Sequence, residues 1–222
     1  MSATPNPLWY VDRSSGEVTL VLMTAVLVFG IVRAALPSIN PVLTEGGHVN
    51  IALVTVAFAG LHIVAALLDP FARLGPIDSL VPFVSAYRGT WLGLGVISGY
   101  LYAAAVLLSW PARRVGRAVW LWLHRTTYAA WLLAVVHSLA TGSDARNQVF
   151  FLLNVAAVAV ALAVFLGVRV AEAWSRLPPL WAGLAVVALG TVLVLAIWAA
   201  NGPLQEGWAR SAGTPPDLLR SP

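Results

Sequence analysis

Apolar residues run through this chain in blocks about as long as a bilayer is thick, and polar residues gather in the short stretches between them. Six blocks stand out, at residues 17–36, 48–68, 90–110, 118–139, 149–170 and 180–200. A helix rising 1.5 Å per residue needs about 20 apolar residues to cross a hydrocarbon core of roughly 30 Å, and each block meets that length. The breaks carry helix-ending chemistry: Pro37, the pair Gly46–Gly47, Asp69–Pro70, Pro111 and the pair Pro178–Pro179. The pattern predicts an all-α integral membrane fold of six transmembrane helices. Residues 1–15 read as a polar N-terminal segment with the interfacial pair Trp9–Tyr10, 16–172 as one helical domain, and 173–200 as a sixth helix added to it. Residues 71–89 are half apolar, with Pro76 and Pro82, and read as an interfacial or half-inserted connection. The last stretch, 201–222, has four prolines and no apolar run, and reads as a disordered tail.

Composition supports this reading and narrows it. Hydrophobic residues make up 59% of the chain and charged residues 10%, against about 25% charge in a soluble domain. The formal charge of +4 comes from arginine alone, because the sequence has no lysine. In a chain surrounded by membrane lipid such charge reports orientation and not nucleic-acid binding. Cysteine is absent, which excludes disulfides, cysteine-ligated iron–sulfur clusters, thiolate-ligated haem and covalently attached haem. The first seventeen residues lack an apolar run, so the first span is expected to serve as the insertion signal. Arg113, Arg114 and Arg117 crowd one short turn between the third and fourth spans. Positive charge in short loops favours the cytoplasmic side, which leaves both termini of this multi-pass cell-membrane protein outside.

Four histidines, His48, His62, His124 and His137, are all the chain has. They form two pairs, on the second and fourth spans, and each pair is separated by about 20 Å of helix. With six spans the second and fourth run parallel, so His48 lies level with His124 and His62 with His137. Neutral imidazole is the commonest metal ligand, and paired axial histidines hold b-type haem iron. Polar groups at membrane depth default to a functional reading, and two stacked non-covalent haem b groups account for all four. The spacings differ: fourteen residues return nearly to one helix face, whereas thirteen fall short by over a third of a turn. His48 follows Gly46–Gly47 and lies either in the helix or in the loop before it.

Arg125 adjoins His124 inside an apolar stretch. It either binds haem propionates, whose carboxylates match its planar fork, or reaches to the cytoplasmic surface. Arg73 and Arg88 have the same two options at the outer haem. Gly60, Gly93, Gly95 and Gly99 offer smooth faces for a macrocycle or for close helix packing.

The stretch from Trp122 to Trp131 (Trp-Leu-His-Arg-Thr-Thr-Tyr-Ala-Ala-Trp), followed by His137, resembles the ferric reductase-like transmembrane domain. Gly60-Leu-His62 and Arg13-x-x-Gly16 are similar too, so the resemblance covers roughly residues 13–170. That family includes ferric reductases, NADPH oxidases and the haem-binding membrane subunit of bacterial methionine sulfoxide reductase. The resemblance implies inner and outer bis-histidine haems and electron transfer from the cytoplasmic to the outer side. Unlike the larger members, this sequence shows no Gly-rich nucleotide motif outside the membrane. It therefore reads as an oxidoreductase component without its own flavin or NAD(P)H domain. FAD or FMN belongs only on a partner. The donor is a separate flavoprotein or membrane quinol, and the acceptor is an outer-face protein or ferric iron. Two other readings stand beside this one: a quinol-oxidising cytochrome b subunit, and a polytopic transporter or assembly protein with structural histidines.

The orientation is open to direct measurement. A reporter active only in the cytoplasm should work when fused at Gly116 and fail at Gly142. The opposite pattern exchanges the inner and outer labels of the two histidine pairs.

Overall fold

The computed structural model describes residues 6–35, 41–109, 116–142, 146–173 and 178–219. Arg113, Arg114, Asp144, Arg176 and Arg220, on which part of the orientation argument rests, lie outside them. Among the described residues the structure is all helical. The helices are α1 (Pro7–Ala35), α2 (Pro41–Leu68), α3 (Pro76–Leu80), α4 (Gly89–Ser109), α5 (Arg117–Thr141), α6 (Gln148–Ala173), α7 (Pro178–Asn201) and α8 (Trp208–Ser211). Five of them contain segments long and apolar enough to cross a membrane: Pro7–Ala35, Gly46–Leu68, Gly89–Ser109, Gln148–Val168 and Ala182–Asn201. α5 matches them in length with 25 residues but is less apolar, because it carries His124, Arg125, Thr126, Thr127 and His137. The helix richest in candidate chemistry is thus the one that falls short on hydropathy.

Solvent preference runs opposite to that of a soluble bundle. Leu107, Val186, Val194 and Leu68 point outward, while Thr55, Ser98 and Asn154 are buried. An outward apolar surface suits a lipid surround, and inward polar groups then find partners within the bundle. Ser98 Oγ donates to the Ala130 carbonyl at 2.7 Å, tying α4 to α5. Trp131 Nε1 donates to Thr24 Oγ1 at 2.9 Å, tying α5 to α1. The chain is a multi-pass helical membrane protein.

α1 holds the bundle together. Its Leu20 packs with Val135 and Leu139 of α5, Met23 with Tyr102 of α4 and Ala130 of α5, and Leu27 and Ile31 with Ala161 of α6. α2 lies along α1, α5 lies along α4, and α6 covers another face of α1. Both packed pairs are antiparallel, and because His48 meets His124 while His62 meets His137, α2 and α5 run parallel.

The helices start earlier than the hydropathy blocks suggest. α1 begins at Pro7 within the stretch read as a polar segment, and α2 begins at Pro41, so His48 sits inside the helix and not in a loop. Proline suits a first helical turn, where its missing N–H has no intrahelical partner to lose.

The described part of the tail is not disordered. It folds back as turns and α8 and docks on the end of the α4–α5 pair. Trp208 Nε1 donates to the Ala140 carbonyl at 3.0 Å, and the Trp208 ring packs 5.4 Å from that of Trp91. Arg73 pairs with Asp217 at 2.9 Å. Composition missed this because the order comes from one buried arginine and one tryptophan, not from an apolar run. Arg88 is 3% exposed. Its Nη1 donates to the carbonyls of Ala140, Thr141 and Gly142 at 3.0, 2.9 and 3.3 Å, and its Nε donates to Thr214 Oγ1 at 2.8 Å. It caps the carbonyl end of α5, where a cation also meets the negative end of the helix dipole. Burial draws its pKa below the ordinary arginine value, yet guanidinium remains charged in proteins. Its backbone sits in the left-handed region at φ 46°, a strain of about 1–3 kcal/mol held in place by these contacts.

Hydrogen bonds to charged groups contribute about 1.5–3 kcal/mol each, so Arg88→Met should cost roughly 2–4 kcal/mol. It should also make the chain beyond Asn201 sensitive to protease. Thermal unfolding and limited proteolysis in detergent check both; an unchanged cleavage pattern removes Arg88 as the tail's anchor.

Candidate functional site

The four histidines meet as two pairs. The His48 and His124 ring centroids lie 5.9 Å apart with their planes at 66°. Those of His62 and His137 lie 6.3 Å apart at 78°. These are the pairings expected from span order. The thirteen-residue interval on α5 does not prevent either contact. Its two rings are seated differently: His137 is hydrogen-bonded, whereas His124 stacks on Trp120 at 4.9 Å and 17°.

Three of the four rings are fixed by the same device. His48 Nδ1 lies 3.1 Å from the Val26 carbonyl, His62 Nδ1 lies 2.9 Å from the Asp12 carbonyl, and His137 Nδ1 lies 2.9 Å from the Trp91 carbonyl. A carbonyl oxygen only accepts, so in each bond Nδ1 carries the proton. In neutral imidazole that leaves Nε2 as the lone-pair nitrogen. This is the arrangement that metal-ligating histidines use to set tautomer and ring direction. His124 departs from it: its Nδ1 is buried and has no hydrogen-bond partner among the described residues.

Each anchored ring also needs a glycine opposite it. A Cβ added to Gly16 would lie 3.0 Å from His62 Cε1 and Nδ1, and one added to Gly30 would lie 3.3 Å from His48 Cε1. At Gly95 it would lie 2.5 Å from His137 Nδ1. Gly16 and Gly30 on α1 therefore face His62 and His48 on the antiparallel α2. Their fourteen-residue spacing equals that of the histidines and was the sequence signal for this contact. Of the other glycines considered from the sequence, Gly93 receives Phe83, and a Cβ at Gly60 or Gly99 would meet nothing within 4 Å.

The donor set is informative. A group of three or more histidine, cysteine, aspartate or glutamate side chains that could hold a metal ion is absent among the described residues. Structural zinc wants four protein ligands and catalytic zinc three. Each site here offers two imidazoles facing one another, which suits a metal that brings its other ligands with it. Imidazole nitrogen binds zinc at about 2.0–2.1 Å, and on that scale two rings opposed across one metal ion place their centroids roughly 6 Å apart. Both observed separations fit. α2 and α5 are not packed along one another; each lies on a partner helix, so the rings meet across the space between them.

Of the two options for each arginine, the structure shows the following. Arg125 is exposed, with its guanidinium carbon 5.8 Å from the centre of the Trp122 ring, and the structure does not bring it to the imidazoles. Arg88 and Arg73 are committed to the α5 cap and the tail. Sequence reasoning missed Asp12. Its carboxylate Oδ1 lies 2.9 Å from His62 Nδ1, beside the backbone oxygen that receives the N–H. It also missed a polar cluster close by, where Ser138 Oγ donates to Glu17 Oε1 at 2.9 Å and Asn154 Nδ2 donates to Ser138 Oγ at 3.1 Å.

No protein-family model matches the chain, and no solved structure does. Curated relatives do match. A protein-methionine-sulfoxide reductase heme-binding subunit MsrQ from Bordetella pertussis is 27% identical over 179 residues, covering 77% of this chain and 78% of the relative. The protein of the same description from Ralstonia nicotianae is 28% identical over 174 residues, covering 76% of this chain and 74% of the relative. The chain is thus similar over most of its length to heme-binding subunits of protein-methionine-sulfoxide reductase, a kinship that agrees with the ferric reductase-like pattern around His124 and His137.

Proposed function

We propose that this chain is a dihaem b-type electron-transfer subunit that carries electrons across the membrane to an acceptor on its outer face. The observation that carries the reading is the pair of opposed imidazole couples, 5.9 and 6.3 Å between centroids, on two helices that do not pack on each other. His48 and His124 hold the inner haem, and His62 and His137 the outer one. Haem iron bound there supplies one-electron exchange between ferric and ferrous states. The protein's own part is orientation and exclusion. The carbonyls of Val26, Asp12 and Trp91 fix three ring tautomers, Trp120 stacks against the fourth ring, and the apolar helices keep water from both sites. The reading takes α5 as a sixth span, with both termini outside.

A separate donor is required, either a flavoprotein or a membrane quinol. The relatives are named as subunits of protein-methionine-sulfoxide reductase. By that analogy the acceptor is a catalytic subunit that reduces methionine sulfoxide in proteins, and this chain is its membrane electron supply.

The purified protein should contain two haems per chain by pyridine haemochrome and protein assay on one sample. Gly95→Ala should lower the ratio toward one, because the added Cβ displaces His137, whereas Gly99→Ala, which faces open space, should keep it at two. His137→Leu should retain a donor-reducible haem and lose delivery to the outer acceptor. Colourless protein removes the haem reading, and full acceptor reduction by His137→Leu removes the relay.

A further inference from the structure

The two imidazole pairs are alike in geometry and unlike in their charged surroundings. Asp12 Oδ1 is in contact with His62 Nδ1 at 2.9 Å and has no hydrogen-bond donor of its own among the described residues. The Nδ1 proton is directed at the Asp12 backbone oxygen, also at 2.9 Å. One residue therefore presents both a carbonyl dipole and a full negative charge to a single imidazole. Arg13 Nε stands 3.9 Å from the other carboxylate oxygen. At the other pair the charge of Arg33, which has a further interaction of its own, acts on both His48 and His124. Among the described side chains, which do not include that of Glu45, no carboxylate is paired with either of those rings.

We infer that Asp12 is a positioning residue for His62 that sets the potential of the His62–His137 site below that of the His48–His124 site. This rests on the proposed haem ligation. The oxidised form of a metal site carries one more positive charge than the reduced form, so a nearby carboxylate favours oxidation. A carboxylate at the distal nitrogen of a ligating histidine also raises the basicity of the ligand, and hydrogen bonding around axial ligands is a main control on haem potential. Both effects have the same sign. Arg13 opposes them in part, but it meets the other carboxylate oxygen and at a longer distance. At His48 the Val26 carbonyl supplies the dipole without the charge, and at His124 Nδ1 has neither. Placing the charge on residue 12 takes one turn of early helix: Pro7 starts α1 soon enough for Asp12 to reach His62 four residues before Gly16 makes room for the ring.

Spectroelectrochemical titration of the haem absorbance in the full-length detergent-solubilised protein tests this. Wild type should give two midpoints, and the lower one should vanish in His137→Leu while the upper one vanishes in His124→Leu. Asp12→Asn keeps the backbone carbonyl and removes the charge. It should raise the lower midpoint and leave the upper one where it was, and Asp12→Glu should restore most of the difference. An Asp12→Asn protein with full haem content and an unmoved lower midpoint overturns the inference, as does an equal shift of both. If Asp12→Asn loses the outer haem, the unsubstituted chain still decides: loss of the upper midpoint in His137→Leu overturns the ordering. Absence of haem from wild type is a different result and refutes the ligation itself.

Discussion

Everything at the candidate site depends on seating four imidazoles so that they meet as two pairs. An imidazole on an apolar helix has no reason to point in one direction. For His48, His62 and His137 the direction is imposed at Nδ1, by backbone carbonyls of α1 and α4, while the His124 ring is seated by stacking on Trp120. The carbonyls of Val26, Asp12 and Trp91 are within 2.9 to 3.1 Å of their rings. They can be that close because Gly16, Gly30 and Gly95 remove the Cβ atoms that would collide with the same rings. Hydrogen bond and glycine notch act as one constraint, which leaves Nε2 unprotonated and free to ligate. The helix order follows: each histidine helix must lie against a helix that supplies carbonyls and glycines, not against the other histidine helix.

The end of the bundle that holds His62 and His137 is braced by a buried arginine and a cluster of tryptophans. Arg88 gathers the last carbonyls of α5, just beyond His137, and ties them to Thr214. Trp91, whose carbonyl holds His137, packs its ring against Trp198 and Trp208 at 5.3 and 5.4 Å. The tail is thus part of the scaffold around the His62–His137 pair. Trp131 is likewise engaged within the bundle, bonded to Thr24.

Much of this was legible in the sequence, for identifiable reasons. Apolar blocks gave the long helices, since block length is set by the bilayer. The pairing of His48 with His124 and His62 with His137 followed from span order alone, because parallel helices bring equal depths together. The true starts of α1 and α2 were hidden, since polar residues such as Asp12, Arg13 and Glu45 lie within helices that outrun their apolar stretches. The described tail was hidden because Arg88, Trp208 and Thr214 acquire partners only after α4 and α5 have packed. Asp12 was missed, because only the packing of α1 on α2 turns its side chain to His62. Arg125 shows the converse: its place beside His124 in sequence puts it on another face of α5, over Trp122.

The central claim is that each couple holds one metal between two imidazoles whose planes are far from parallel, at 66° and 78°. Electron paramagnetic resonance of the oxidised protein reads this directly, because crossed axial imidazoles leave the iron d orbitals nearly degenerate and make the low-spin ferric signal strongly anisotropic. The account predicts two such low-spin signals and no high-spin ferric signal. His124→Leu should remove one, and His137→Leu the other. A dominant high-spin signal in the unsubstituted protein, or two signals that respond identically to both substitutions, would contradict it.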